Sequence, residues 1–334
     1  MTTTSNGTTA IVLAGGVAKG AFEAGAIKVL VEHGIKFAQV VGTSSGALNA
    51  ILLAAAIRAD REREAMADLL SLWRDEASWM HVFHFTVRDA LRRRALSDST
   101  KLLHLMRTEI PKVAIAAVNP VRLHLVVTAI HGVIDRLGAE PATTFEGVCS
   151  FDGAAFDDEP GRERVYAAAA ASAAFPVVFR PVEVDGIGPC YDGAIVNDTP
   201  LKLAIDGGAD RVIVIAPYPA EFKAKPTAGG IEMIAHLVDM LTHERLFRDL
   251  LQAEKTNASI ERLRSLVVHG DLTSAQLDTI LRELAVRPIE VVTIRPPAEL
   301  EGNAFAGFAE RKLRDAYLAA GQAAARLVLP SLRR

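Results

Sequence analysis

Residues 41–50 read VGTSSGALNA, and within them Gly42-Thr43-Ser44-Ser45-Gly46 has the pattern G-x-S-x-G. The pattern is short enough to recur by chance, so its surroundings decide what it means. FAQVVG (37–42) has the apolar, β-branched character of a buried strand. GALNAILLAAAIRADREREAMADLLSLW (46–73) has helical composition, with a break expected near Asp60. Strand, sharp turn and helix are the context that exposes a nucleophilic serine. Gly42 and Gly46 keep side chains off the turn. Ser44 then projects at a helix N-terminus, where free amides and the helix dipole favour developing negative charge. Ser45 is expected to face the helix as a capping or packing group.

Outward from this turn, β-rich runs alternate with helical segments. TTAIVLAGG (8–16) reads as a strand entering a glycine turn, and AKGAFEAGAIKVLVEH (18–33) as a helix closed by Gly34. Further strands are expected at 122–130, 179–184, 210–217 and 288–295, and amphipathic helices at 231–256 and 309–329. FDGAAFDDEPGRER (151–164) reads as an acidic surface loop. Strands separated by helices imply βαβ units and an α/β fold with a mainly parallel sheet covered on both faces. No repeat or linker divides the chain, so residues 1–334 are taken as one domain with a helical C-terminal elaboration.

Composition narrows the function. The 334 residues are 50% hydrophobic and 23% charged, with a formal net charge of −3. Such a balance carries no nucleic-acid footprint. Two cysteines, Cys149 and Cys190, cannot form a disulfide framework and favour a reducing compartment. The opening MTTTSNGTTA lacks a secretory signal, and no window is long and apolar enough to span a membrane. A cytoplasmic protein is expected, with at most transient contact at a membrane surface. No His/Cys/Asp cluster has metal-ligand spacing, and neither metal nor cofactor is expected.

A second glycine cluster, AGGVAKGAFEAG (14–25), also follows a strand and opens a helix. A dinucleotide fingerprint fails at Val17, and no G-K-[ST] follows to make a P-loop. The amides of Gly15, Gly16 and Val17 suit an oxyanion instead. In adjacent parallel strands, this turn and the Ser44 turn emerge at the same carboxyl edge of the sheet, where ligand sites form.

The proton acceptor is less obvious. His236 and His243 fall inside an amphipathic helix and His269 in an expected turn, and none is framed as a catalytic base. A desolvated carboxylate can take the role. Of four Asp-Gly pairs, Asp185-Gly186 looks like a hairpin turn, Asp206-Gly207 like a helix C-cap, and Asp152-Gly153 lies in the acidic loop. Elimination favours Asp192-Gly193 in CYDGAIVNDTP.

Three blocks in this order resemble the patatin-like phospholipase family. LAGGVAKGAFEAGAIKVL is similar to its glycine-rich segment G-G-G-x-[KR]-G, and VGTSSGALNA to its nucleophile motif. ASAAFPVVFRPV (171–182) followed by YDGAIVNDTP is similar to its Ser-Ala-x-x-Pro block and D-G-[AG] motif. The resemblance covers about residues 8–217. It implies a three-layer α/β/α sandwich and a Ser–Asp dyad, with Ser44 as nucleophile and Asp192 as base. It also implies oxyanion amides at Gly15, Gly16 and Val17, with Lys19, Gly20, Gly42, Gly46 and Gly193 supporting the motifs. Val17 stands where the family has glycine, and a valine there meets strain at positive φ.

A lipid ester is the substrate that the resemblance implies, of phospholipase A or lysophospholipase type. A small-ester or thioester hydrolase using the same dyad is the alternative, and a nucleotide- or anion-binding module a more distant one. EASWMHVFHFTVRDALRRRAL (76–96) could supply an apolar lid with basic flank Arg92, Arg93 and Arg94, but a packing helix with a solvated basic face is the favoured reading.

Overall fold

A computed structural model of the chain describes residues 8–85, 95, 97–113, 119–137, 140–221 and 231–333. Its core is an eight-stranded sheet. Strands β1 (Thr9–Leu13), β2 (Gln39–Thr43), β5 (Arg122–Leu137), β9 (Arg211–Ile215) and β10 (Glu290–Ile294) run parallel in the order β10-β9-β1-β2-β5. A separate antiparallel pair joins β3 (His84–Phe85) to β4 (Ser97–Asp98). Within the same sheet, β6 (Glu140–Asp152) and β8 (Gly188–Asp192) pair antiparallel with β5, and β7 (Val182–Val184) pairs antiparallel with β8.

The parallel strands are apolar throughout because both faces are covered. Ile11, Leu13, Val40, Ile213 and Ile215 pack with helices α1 (Gly20–Glu32) and α2 (Ser45–Arg58) on one side. Ala10, Val12, Val41, Val212 and Val214 face the other side, with α8 (Leu201–Asp206) and the long α9 (Ile231–His269). Helix, sheet and helix make the three-layer sandwich that the family resemblance implies. Asp60 takes φ 56° between α2 and α3 (Glu62–Ser71), at the expected break.

Two expectations fail. Residues 151–164 are not a surface loop: Asp152 ends β6, and α6 (Glu159–Ser172) begins with Asp158 accepting the Gly161 amide at 2.7 Å. The charged residues at this N-terminus are capping chemistry, not loop composition. The helix expected at 231–256 runs on to His269, which is its last residue and not part of a turn.

One register places the site. On one edge of β5, β2 pairs up to Thr43↔Val126, and on the same edge β8 arrives from the opposite direction and ends at Asp192↔Val127. The ends of β2 and β8 therefore meet head to head at neighbouring positions of β5. Whatever follows Thr43 must stand beside Asp192.

Candidate active site

Ser44 is the residue that follows Thr43. Its backbone takes φ 54° and ψ −127°, a conformation costly for a side-chain-bearing residue and held here by packing. An added Cβ at Gly46 would lie 2.3 Å from the Leu13 carbonyl oxygen, so only glycine lets the turn press against β1. The Ser44 amide donates to Ser172 Oγ at 3.0 Å, and Ser172 Oγ donates in turn to the Val126 carbonyl at 2.6 Å. Ser172, at the end of α6, thereby fixes the elbow to β5 at the residue that pairs with Thr43.

The Ser44 hydroxyl donates to Asp192 Oδ2 at 2.7 Å. The other carboxylate oxygen accepts the Ala194 amide at 2.9 Å. Asp192 is 1% exposed. Burial pushes its carboxyl up to about 7, against the lowering influence of the Ala194 and Ser44 hydrogen bonds. A carboxylate that titrates near neutrality and accepts a hydrogen bond from a serine hydroxyl has the chemistry that a general base requires.

The glycine-rich turn lies against the serine, where an added Cβ on Gly15 would come 2.8 Å from Ser44 Cβ. Val17 takes φ 54°, the left-handed region that a β-branched residue rarely enters. The Gly16 and Val17 amides have no hydrogen-bond partner among the described residues. The Gly15 amide, in contrast, donates to Asp198 Oδ1 at 2.5 Å. Lys19 is buried behind the turn and not in solvent. Gly20 packs where a Cβ would meet Ser45 and Trp73, and Gly193 where one would lie 2.1 Å from the Val126 oxygen. Ser45 makes no capping bond; its buried hydroxyl is a packing group without a partner among the described residues.

Ser44 and Asp192 line a cleft whose walls are mainly aliphatic and aromatic side chains with few polar groups, the composition of a ligand site. Leu48, Ile51 and Leu52 of α2 form one wall, and Leu102, Met106 and Ile110 of α5 (Thr100–Val113) another. Phe83, Phe179 and Phe308 pack ring against ring at 5.1–5.2 Å from Phe83 as part of the lining. No histidine lines the cleft among the described residues. Trp79 packs on Phe83 at 4.5 Å while its neighbour Met80 is 77% exposed. Arg92, Arg93 and Arg94 lie outside the described residues.

At the cleft wall, Asn49 bridges three groups. Its amide donates to Glu23 Oε2 at 2.9 Å and the Gly20 carbonyl at 3.0 Å, and it accepts from Trp73 Nε1 at 2.7 Å. Burial first, and Asp198's charge to a lesser degree, hold the Glu23 carboxyl well above the usual carboxylate range, while the Asn49 bond lowers it. Sequence reading missed Ser172, Glu23 and Asp198. The ASAAFP and NDTP blocks contain two of them, but their contacts depend on pairings far apart in the chain.

A family profile described as Patatin-like phospholipase matches residues 11–205, more than half of the chain. Among solved structures, that of VipD from Legionella pneumophila is similar over 98% of this chain and 67% of its own, with 16% identity and a TM-score of 0.44. A comparison with curated proteins finds no match. No helix among the described residues is long and apolar enough to cross a membrane.

Proposed function

The chain belongs to the patatin-like phospholipase family, whose members are lipid acyl hydrolases, and on that premise we propose that it cleaves lipid carboxyl esters through a Ser44–Asp192 dyad of phospholipase A or lysophospholipase type. The observation that carries the reading is the 2.7 Å hydrogen bond from Ser44 to a buried carboxylate that titrates near neutrality.

Asp192 accepts the Ser44 proton as Oγ attacks the ester carbonyl carbon. The electron pair of the carbonyl moves to oxygen, and the Gly16 and Val17 amides, which have no other partner among the described residues, receive the resulting oxyanion. Collapse expels the alcohol, which takes the proton from Asp192 and leaves an acyl-Ser44 ester. Water then repeats the cycle, giving its proton to Asp192 and releasing the fatty acid. A single carboxylate serves both half-reactions because its affinity for the proton lies near the working pH.

Fluorophosphonate labelling tests the nucleophile. Wild type is expected to be labelled and Ser44→Ala not, with ester turnover falling by roughly 10³–10⁶-fold. Labelling that persists in Ser44→Ala would contradict the dyad.

The cleft favours a long acyl chain over a small ester. Its α2 wall reaches Leu52, eight residues past Ser44, or about 12 Å at helical rise. Nitrophenyl palmitate is therefore expected to be a better substrate than the butyrate, as judged by kcat/KM. Met106→Trp should remove the long-chain advantage and leave butyrate turnover within a few fold. A preference for butyrate in wild type would favour a small-ester hydrolase instead.

A further inference from the structure

The turn that receives the oxyanion is tied down in a selective way. Of the six consecutive amides from residue 14 to residue 19, four are committed. Ala14 donates to the Ile215 carbonyl at 3.1 Å, Gly15 to Asp198 Oδ1 at 2.5 Å, Ala18 to the Ala304 carbonyl at 3.0 Å and Lys19 to the Gly16 carbonyl at 2.9 Å. The two between them, on Gly16 and Val17, have no partner among the described residues. Val17 is also the strained one, at φ 54°. A left-handed L-residue costs about 1–2 kcal/mol, so the turn would relax unless held on both sides. Ala304 holds it from the C-terminal side. On the other side, the partner is a buried side chain.

We propose that Asp198 is a positioning residue for the oxyanion turn: its carboxylate grips the Gly15 amide, keeps Val17 left-handed and so leaves the Gly16 and Val17 amides for the acyl oxygen. The inference rests on the dyad reading above and assigns a role that the dyad does not require. Asp198 is 1% exposed and does not line the cleft, whereas Val17 does. It therefore acts from behind the turn and does not block it. The approach is possible only over glycine, since an added Cβ on Gly15 would lie 2.2 Å from Asp198 Oδ1.

The segment that carries Asp198 is itself anchored. Thr43 Oγ1 donates to the Asn197 carbonyl at 3.2 Å, and Asn197 Nδ2 donates to Glu146 Oε1 at 2.9 Å. Asp192 and Asp198 thus lie on one short stretch, residues 192–198, which sets the base and the oxyanion turn together. A displacement of that stretch would disturb both halves of the site.

The test compares Asp198→Ala and Asp198→Asn, each in wild type and in a Val17→Gly background, with a medium-chain nitrophenyl ester. Asp198→Ala should lower kcat by at least about 10-fold, short of the roughly 10²–10³ lost when an oxyanion donor is removed outright. KM should stay within about 3-fold, because ground-state binding depends on the acyl cleft. Asp198→Asn keeps an acceptor for Gly15 and should stay within about 3-fold of wild type in kcat. In the Val17→Gly background, where φ near 54° is no longer strained, the Asp198→Ala penalty should shrink by at least half on a logarithmic scale.

Asparagine as damaging as alanine would overturn the positioning role, as would an equal alanine penalty in both backgrounds or an unchanged kcat in Asp198→Ala. If Asp198→Ala does not fold, Asp198→Val, which is close in size and has no acceptor, replaces it under the same criteria. Wild type without Ser44-dependent turnover would remove the dyad reading and this inference together. An active wild type with a fully active Asp198→Ala removes the inference alone.

Discussion

Asp192→Asn is expected to abolish ester hydrolysis and at the same time to raise the melting temperature at pH 8. Both effects come from the same desolvated carboxylate. Asparagine preserves the size of the side chain and can still accept the Ala194 amide, but it cannot take the Ser44 proton. Turnover should fall by roughly 10³–10⁴-fold or more, the scale seen when a dyad or triad loses its acid–base partner.

The stability effect follows from where Asp192 titrates. Burial raises its folded-state pKa from the ordinary aspartate range to about 7. The folded state therefore holds this proton more tightly than the unfolded chain, and stability is lost as pH rises from about 4 through 7. At pH 8 the buried charge costs about 4 kcal/mol, since each tenfold tighter hold on the proton is worth about 1.36 kcal/mol. A neutral asparagine avoids that cost, so the variant should melt several degrees higher at pH 8, with the difference shrinking toward pH 5. Differential scanning fluorimetry across that range checks the claim, and a variant no more stable than wild type at pH 8 contradicts it. Ionisation of Asp192 also predicts that wild-type kcat/KM rises with pH through about 7 and then levels off.

Sequence alone made part of this site legible, for physical reasons that differ by residue. The elbow position of Ser44 was readable because it needs only a local arrangement: a strand, two close glycines and a helix. Gly34 and Asp60 were readable as helix breaks for the same reason. Asp192 emerged only by elimination among Asp-Gly pairs and by family resemblance. Its meeting with Ser44 depends on β2 and β8 abutting on one edge of β5, and no local pattern encodes that register. Strand β6 was missed because it pairs with β5 alone and carries exposed polar residues along much of its length. The start of α6 could have been read, since Asp158 followed by Pro160 is a helix N-terminus signal. Asp198 could not, because its partner Gly15 lies 183 residues away.

Gly321→Val, far from Ser44 in the chain and outside the region matched by the family profile, is expected to cost several kcal/mol and most of the activity. Gly321 sits in α12 (Arg311–Leu332), which packs on α1 through two interlocked glycines. An added Cβ at Gly321 would lie 1.8 Å from the Phe22 carbonyl oxygen, and one at Gly25 would lie 2.1 Å from that of Leu318. These neighbours are backbone atoms of rigid helices, so a valine can be accommodated only by moving the helices apart. Separation exposes Tyr317, Leu318 and Ala325, all now buried, and overpacking of this kind costs about 1–3 kcal/mol before that lost burial is added. Melting should fall by roughly 5–10 °C. Leu327→Ala, on the same helix at a side chain 77% exposed, should shift stability by no more than about 0.5 kcal/mol. Activity should fall with Gly321→Val because the segment leading into α12 supplies the Ala304 carbonyl that holds Ala18, and Phe305 and Phe308, which line the acyl cleft. The C-terminal third thus braces the glycine-rich turn and supplies part of the cleft wall that the motif-bearing part begins. Full activity in Gly321→Val would show that α1 and its turn keep their position without it.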